Sequence, residues 1–200
     1  MVTARTIPGA VTRRKARVVH LCDELSDPPF TMADVEIRKT RYDEPAAVRL
    51  NELVQQEYAE RYGEGDLTPM AADHFDPPHG LYLLAYDTDG VPVASGGWRA
   101  QDASPEGHED GDAEIKRMFV VKEARGRGLA RAILAELETS AAAAGRTRMV
   151  LETGSLQPEA ISLYTSCGYV PVEKFGYYRH EELSICMGKP LGVTRAAPGA

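Results

Sequence analysis

The sequence contains no apolar run close to the roughly 20 residues that a membrane-spanning helix needs. Its first residues, Met-Val-Thr-Ala-Arg, lack the apolar core of a secretory signal, so we expect none. Cysteine is scarce: Cys22, Cys167 and Cys186 are odd in number, widely spaced and without a metal-like pairing. They are typical of reduced thiols. These absences predict a cytoplasmic protein without a disulfide framework or a metal site.

Positive charge is also in deficit, with 23 Lys and Arg against 30 Asp and Glu and a net charge of -7. This balance argues against bulk nucleic-acid binding and is compatible with a cationic substrate. The exception is a basic cluster at residues 13–17, within a stretch, residues 1–33, that has no sustained hydrophobic period. We interpret residues 1–33 as a flexible extension, and a nucleic-acid or partner arm is the alternative.

Residues 34–190 are regular, and we expect them to form one domain followed by a tail at 191–200, since 200 residues can bury one adequate core. Alternating hydrophobic residues predict strands at 35–39, 81–86, 91–99, 113–121, 148–152 and 183–187. Helical spacing and start signals predict helices that begin at Asp43, Leu129 and Pro158. This order is typical of a mixed α/β sheet with a strand–helix–strand unit.

The turn between the fourth predicted strand and its helix carries the strongest chemical signal: Arg125-Gly-Arg-Gly-Leu-Ala-Arg131. Glycine at 126 and 128 removes the Cβ atoms that would keep a ligand away from the backbone. The N–H groups and dipole at the helix start favour an anion, and the arginines add positive charge. The turn therefore predicts a pyrophosphate site.

Two common pyrophosphate motifs do not match this turn. A Walker-type loop needs Gly-Lys-Ser/Thr, and a dinucleotide fingerprint needs a third glycine where this chain has Arg131. A third pattern, Arg/Gln-x-x-Gly-x-Gly/Ala, is filled in order by Arg125, Gly128 and Ala130. Residues 157–169 fill a second pattern, Asn-x-x-Ala-x-x-Leu-Tyr-x-x-x-Gly-Phe/Tyr, from which only Gln157 departs.

With both motifs in order, residues 35–190 resemble the GCN5-related N-acetyltransferase (GNAT) superfamily. The resemblance implies a mixed, mostly antiparallel central sheet of about seven strands with flanking helices. It also implies acetyl transfer from acetyl-CoA to an amine, without a metal. The residues that it places against acetyl-CoA are Met118, Phe119, Val120, Arg125, Gly126, Arg127, Gly128, Leu129, Ala130, Arg131 and Gln157.

The resemblance assigns Tyr164 as the acid that assists the leaving thiolate, whereas helical spacing alone makes it a core aromatic. A base must remove the proton of an ammonium whose pKa is about 10. Glu114 and Glu152 lie in apolar strands, where desolvation is expected to raise the pKa of each carboxyl group. We expect Glu114 to act, directly or through water, with Glu152 and then His180 as weaker candidates. The alternative for Glu114 is an ion pair with Lys116, which strand alternation places on the same face.

The acceptor site is expected in the loop after the first helix and in the segment before the last strand. Its candidate residues are Tyr62, Glu64, Trp98, Glu152, Phe175, Tyr177 and Tyr178. Aromatic rings with acids suit a cationic, partly apolar amine, although ordinary burial explains any single aromatic equally well. We therefore expect a cytoplasmic N-acetyltransferase for a small-molecule or amino-acid-like amine, with no membrane or nucleic-acid partner, and a homodimer is left open. Acetylation of a protein lysine or N-terminus, an acyl-CoA sensor without turnover and a nicotinamide-binding module are the alternatives.

Overall fold

A computed structural model describes residues 35–192. The predicted extension at 1–33, its basic cluster and all but two residues of the predicted tail lie outside the described residues. Within the described part of the chain, seven strands and three α-helices alternate in the predicted order. They are β1 Glu36–Thr40, α1 Pro45–Tyr62, β2 Gly80–Tyr86, β3 Pro92–Gln101, β4 Asp112–Val120, α2 Leu129–Ala143, β5 Arg148–Gly154, α3 Pro158–Ser166, β6 Val170–Pro171 and β7 Ser184–Pro190. None of the helices between residues 35 and 192 is both long enough and apolar enough to cross a membrane.

The strands form one sheet in the order β1-β2-β3-β4-β5-β7-β6, which confirms the predicted mixed α/β fold class. All neighbours are antiparallel except β4 and β5, which are parallel because α2 carries the chain back between them. The seventh strand, β6, is the one that periodicity missed. It has two residues, which is too short for an alternating pattern to be recognised.

The parallel pair β4 and β5 separates part of the way along its length. Pairing runs from Asp112 and Arg148 to Ile115 and Leu151 and then ends, although β4 continues to Val120 and β5 to Gly154. On its other side, β4 stays paired with β3 through a bulge, where two residues of β4, Arg117 and Met118, lie opposite one residue of β3, Gly96. A wedge-shaped gap therefore opens between β4 and β5 toward their carboxyl ends.

Helices α1 and α2 cover opposite faces of the sheet. The buried side of α2 consists of Leu129, Ile133, Leu134, Leu137 and Ala141, as its helical spacing predicts. Gly96 allows this close contact, since a Cβ there would collide with Met118 and Ile133. A Cβ on the neighbouring Gly97 would instead meet Tyr82 and Phe75, which belong to the core cluster under α1. The sheet beside the gap between β4 and β5 is thus closely packed on both faces.

Candidate active site

A cavity of about 510 Å³ occupies the gap between β4 and β5. Five segments contribute: both separated strands, the end of α1 with the loop after it, the start of α3, and the segment before β7. The lining consists of Tyr58, Tyr62, Glu64, Gly65, Asp66, Leu67, Thr68, Ile115, Lys116, Arg117, Met118, Leu151, Glu152, Thr153, Gly154, Gln157, Ala160, Tyr164, Tyr177, Tyr178, Glu181, Glu182, Leu183 and Ser184. The mixture of tyrosines and carboxylates is suited to a small ligand with a positive charge.

Most of the candidate acceptor residues lie in this cavity. Tyr62, Glu64, Glu152, Tyr177 and Tyr178 all line it. They come from α1, β5 and two loops, so only the tertiary fold brings them together. The rings of Tyr177 and Tyr178 contact each other edge to face, with centroids 4.8 Å apart.

Trp98 and Phe175 are core residues, and their assignment to the acceptor site is corrected. Trp98 is 1% exposed and its Nε1 donates to Oγ of Ser140, on α2, at 3.3 Å. Phe175 is also 1% exposed and packs with Val150 and Cys186. Both rings therefore stabilise the sheet rather than line the cavity, because sequence position alone does not reveal the face to which a side chain points.

Glu114 is held in a buried ion network. Its Oε2 accepts from Arg99 Nε at 2.8 Å and from Gln101 Nε2 at 2.9 Å, and Lys116 Nζ lies 2.8 Å from its Oε1. Nε2 of His108 lies 3.7 Å from Oε2. Glu114 itself is 1% exposed and does not line the cavity.

The expectation that burial raises the pKa of Glu114 is wrong. Desolvation does oppose ionisation, but the charges of Lys116 and Arg99 and the hydrogen bond from Lys116 together hold the pKa of the Glu114 carboxyl group well below 4.5. A carboxylate with so low a pKa and with both oxygens occupied is a poor proton acceptor. Glu114 is therefore unsuited to act as the base.

Glu152 has the environment that was expected of Glu114. It lies on β5 where the cavity opens, and its Oε1 accepts a hydrogen bond from Ser184 Oγ at 2.6 Å. Burial raises the pKa of this carboxyl group, and the Ser184 hydrogen bond opposes that change only in part. A carboxylate in a cavity with a raised pKa is a candidate general base. His180, the weakest candidate, is exposed and does not line the cavity.

Tyr164 faces the cavity from α3 and is 6% exposed. Its ring meets the Tyr169 ring edge to face at 5.5 Å between centroids. Burial raises the pKa of Tyr164 above that of an ordinary phenol, so its proton is retained at neutral pH. The side chain is therefore both part of the core and a hydrogen-bond donor positioned at a cavity.

The predicted pyrophosphate turn leads directly into α2. Gly126 and Gly128 adopt positive φ angles of 78° and 83°, which glycine tolerates best. A Cβ on Gly126 would meet nothing within 4 Å, so the outer side of the turn is open. The first N–H groups of α2, at Leu129, Ala130 and Arg131, have no partner within the helix. These features fit a pyrophosphate, with Arg127 exposed beside them.

Two arginines of the turn are tied to neighbouring elements. Arg125 donates from Nε to the Val120 carbonyl at 2.9 Å and from Nη2 to Glu57 at 2.6 Å, and its guanidinium lies over Phe119. Arg131 donates to Ser166 Oγ at 2.7 Å. They hold the turn between α1 and the end of α3.

Met118 and Gln157 link this turn to the cavity. Met118 lines the cavity from the separated part of β4, beyond the point where the pairing of β4 with β5 ends. Phe119 and Val120 follow it in the same strand. Gln157 lines the opposite side, and its Oε1 accepts from Thr153 Oγ1 at 3.1 Å. This contact keeps the amide at the start of α3.

Among the lining residues that sequence reasoning missed are Tyr58, Asp66, Thr68 and Arg117. Tyr58 follows the helical spacing of α1, which by itself does not distinguish a core position from a cavity wall. Asp66 and Thr68 lie in a loop without a motif, and Arg117 owes its place to a backbone bulge that no sequence pattern announces. The lining holds five carboxylates, Glu64, Asp66, Glu152, Glu181 and Glu182, against two cations, Lys116 and Arg117. Its negative excess favours a cationic ligand.

Residues 47–169 match the model of the acetyltransferase (GNAT) family. The chain belongs to this family. GNAT enzymes transfer acyl groups from acyl-CoA, so the protein is an acyltransferase, and the predicted recognition is confirmed. The crystal structure of an acyl-CoA N-acyltransferase from Klebsiella pneumoniae subsp. pneumoniae superposes with a TM-score of 0.64 at 28% identity, over 80% of this chain and 99% of that one.

Two GNAT relatives differ in how much of the chain they match. An IAA acetyltransferase of Azospirillum brasilense is 43% identical over 83 residues, which are 42% of this chain and 54% of that protein. The match thus spans about half of that relative. The N-acetyltransferase YjgM of Escherichia coli (strain K12) is 28% identical over 161 residues, 77% of this chain and 93% of that protein. The family model shows the family, and the acceptor is left to be argued from the cavity.

Proposed function

We propose that the protein transfers an acetyl group from acetyl-CoA to the amine of a small, amino-acid-like molecule. The observation that carries this proposal is the cavity between β4 and β5, which both Tyr164 and Glu152 line. Acetyl-CoA supplies a thioester, whose carbonyl accepts an amine.

The pyrophosphate is held at the turn by backbone N–H groups and by its arginines. Gly126 and Gly128 leave the backbone accessible, and the α2 dipole favours the negative charge. The separated part of β4 at Met118, Phe119 and Val120 then offers main-chain groups to the arm of the cofactor. Gln157 offers its amide from the facing wall.

Tyr164 stabilises the departing thiolate by donating its phenolic hydrogen bond to sulfur. Because burial raises the pKa of Tyr164, the proton stays on the phenol until sulfur develops charge. This role requires the hydroxyl, not the ring. It also distinguishes an enzyme from a sensor, which needs only the binding turn.

Glu152 takes the proton that the attacking ammonium must lose, directly or through water. Its raised pKa moves the carboxyl group toward the pH range in which a base works efficiently. Glu64, Glu181 and Glu182 add negative charge to the same cavity and attract the protonated amine. Tyrosines complete the wall and suit an acceptor that carries an apolar part.

A small acceptor is favoured over a protein because five chain segments surround the cavity. A protein substrate would need an open groove that admits a peptide backbone. We further propose that the enzyme acts in the cytoplasm, as its unpaired cysteines, Cys167 and Cys186, would suggest.

An acceptor screen that follows release of the CoA thiol tests the proposal. Small amines and amino acids should support release only when both acetyl-CoA and acceptor are present. Release with peptides alone would move the assignment to a protein substrate. Tight acetyl-CoA binding without release for any acceptor would identify a sensor.

A further inference from the structure

The bulge of β4 places an arginine in an unusual setting. Arg117 has a φ of 58°, in the left-handed region that bulky residues rarely adopt, and it is 6% exposed. It lines the cavity between β4 and β5 and also a second cavity beneath α1. Its Nε and Nη1 are buried without a hydrogen-bond partner among the described residues. Buried N–H groups of a charged side chain are costly to leave unpaired.

The acid beside Arg117 does not satisfy these donors. Oδ2 of Asp66 lies 3.4 Å from Nη1, close enough for charge attraction but outside hydrogen-bond geometry. The other oxygen of Asp66 already accepts from the Thr68 N–H at 2.8 Å. The peptide of Asp66 is fixed as well, because its N–H and C=O both bond to the amide of Gln55. Asp66 is therefore anchored at the edge of the site.

Thr68 supplies a second, independent polar group with open capacity. It is 8% exposed and lines the same cavity, and its Oγ1 has no hydrogen-bond partner among the described residues. The other lining cation, Lys116, is already engaged by Glu114 at 2.8 Å. Arg117 and Thr68 are thus two of the three lining side chains with buried polar groups that lack a hydrogen-bond partner among the described residues; the third is Tyr62, at the end of α1.

We propose that Arg117 and Thr68 bind a carboxylate of the acceptor, so that the substrate is an amino acid or a similar zwitterion. A carboxylate accepts from a guanidinium and a hydroxyl together, and it fills the bonding capacity that both side chains lack. A single negative charge suits the site better than a phosphate, because five carboxylates already line the cavity. The ammonium group of the same molecule then gives its proton to Glu152. This inference rests on the proposed function, since it names the class of acceptor.

The test compares each standard amino acid with its own carboxamide, in which the charged carboxylate is replaced by a neutral group of similar size. Both turnover and binding are measured, by CoA release and by calorimetry. The parent should prefer the carboxylate form by at least about tenfold in kcat/KM, the scale of a hydrogen bond to a charged group. The amine of the carboxamide is less basic than that of the amino acid, so a larger fraction of it is unprotonated and able to attack. This difference favours turnover of the carboxamide and therefore cannot produce a preference for the carboxylate form.

Two variants assign the preference to residues. Thr68→Val keeps the shape and removes the hydroxyl, and Arg117→Lys keeps the charge and removes the planar donors. Each should raise KM for the amino acid, leave the carboxamide nearly unaffected and leave acetyl-CoA affinity unchanged. Thr139→Val and Arg49→Gln, at exposed helix positions, are the matched controls and should change nothing.

Each outcome decides the inference. Equal turnover of amino acids and carboxamides overturns it while the proposed acetyltransferase function stands. If no acceptor releases CoA, calorimetry decides: tighter binding of the carboxylate forms supports the carboxylate site and refutes the function. Equal binding, or binding of neither form, overturns the carboxylate site. A preference that survives both variants also overturns it, because the carboxylate then binds elsewhere.

Discussion

Replacing Glu114 by glutamine should destabilise the protein strongly while leaving the chemistry of each folded molecule nearly unchanged. The side chain is 1% exposed and bonds to Arg99 at 2.8 Å, with Lys116 also 2.8 Å away. Glutamine keeps the shape but leaves two buried cations without a countercharge. Glu114 is therefore a structural anion, and its removal should affect folding before catalysis.

The magnitude follows from the cost of breaking a buried ion pair, about 3–5 kcal/mol. A domain of this size loses about 2–4 °C in Tm for each kcal/mol, so Tm should fall by about 6–20 °C. Adding Lys116→Met should recover part of the loss, because it removes one of the two uncompensated cations. Thermal unfolding by circular dichroism measures Tm, and turnover is normalised to folded protein.

The pH dependence of stability provides a second test of the structural role of Glu114. Because the pKa of Glu114 is lowered in the folded state, its stabilisation of the fold is complete above about pH 4.5. This stabilisation is lost as the pH falls through the pKa of the folded state. Glu114→Gln should therefore be less sensitive to acid than the parent. A variant with parental Tm and a large loss of turnover that high pH restores would refute this reasoning and return Glu114 to the role of base.

Two further predictions concern the cofactor turn and the base. Gly126→Val should abolish acetyl-CoA binding, whereas Gly145→Val, with a similar φ and equally open surroundings at the other end of α2, should carry the same backbone strain and bind normally; calorimetry that shows equal affinities would place the pyrophosphate elsewhere. Glu152→Gln should lower turnover at neutral pH and remove from the pH–rate profile the inflection at the raised pKa of Glu152, while turnover recovers in part at high pH because the amine then deprotonates unaided. The same change should raise Tm slightly at neutral pH, since a raised carboxyl pKa weakens the fold as pH rises from about 4.5 to the folded pKa; an unchanged pH–rate profile would exclude Glu152 as the base.

Local patterns predicted the elements whose signals are strong. The apolar spacing of α2, the glycines of the turn and the two sequence motifs lie within short stretches, so one sequence displays them. The face of a side chain is harder to predict, because it depends on register: Trp98 and Phe175 are aromatic and near the site in sequence, yet both are in the core.

The error on Glu114 has a related cause. Burial in an apolar strand was recognised, but its cations come partly from a neighbouring strand, since Arg99 lies opposite Glu114 in the pairing of β3 with β4. Arg117 was missed because a backbone bulge, rather than a recognisable sequence pattern, directs its side chain to the cavity. The register between paired strands and the backbone bulge are therefore the two features that could not be predicted from this single sequence.

Acceptor-dependent CoA release by the parent and by Tyr164→Phe tests the central claim most directly. The substitution keeps the ring and its contact with Tyr169 and deletes the hydroxyl that would donate to the departing thiolate. Tyr169→Phe is the matched control, because it deletes a hydroxyl that bonds to Glu138, outside the cavity.

With a matched acceptor, Tyr164→Phe should lower kcat on the order of 10²–10⁴, the range for a positioned acid, with acetyl-CoA affinity little changed. Tyr169→Phe should lower Tm and leave kcat nearly parental. A loss of less than about threefold for Tyr164→Phe would contradict the account, since a positioned acid contributes far more than that.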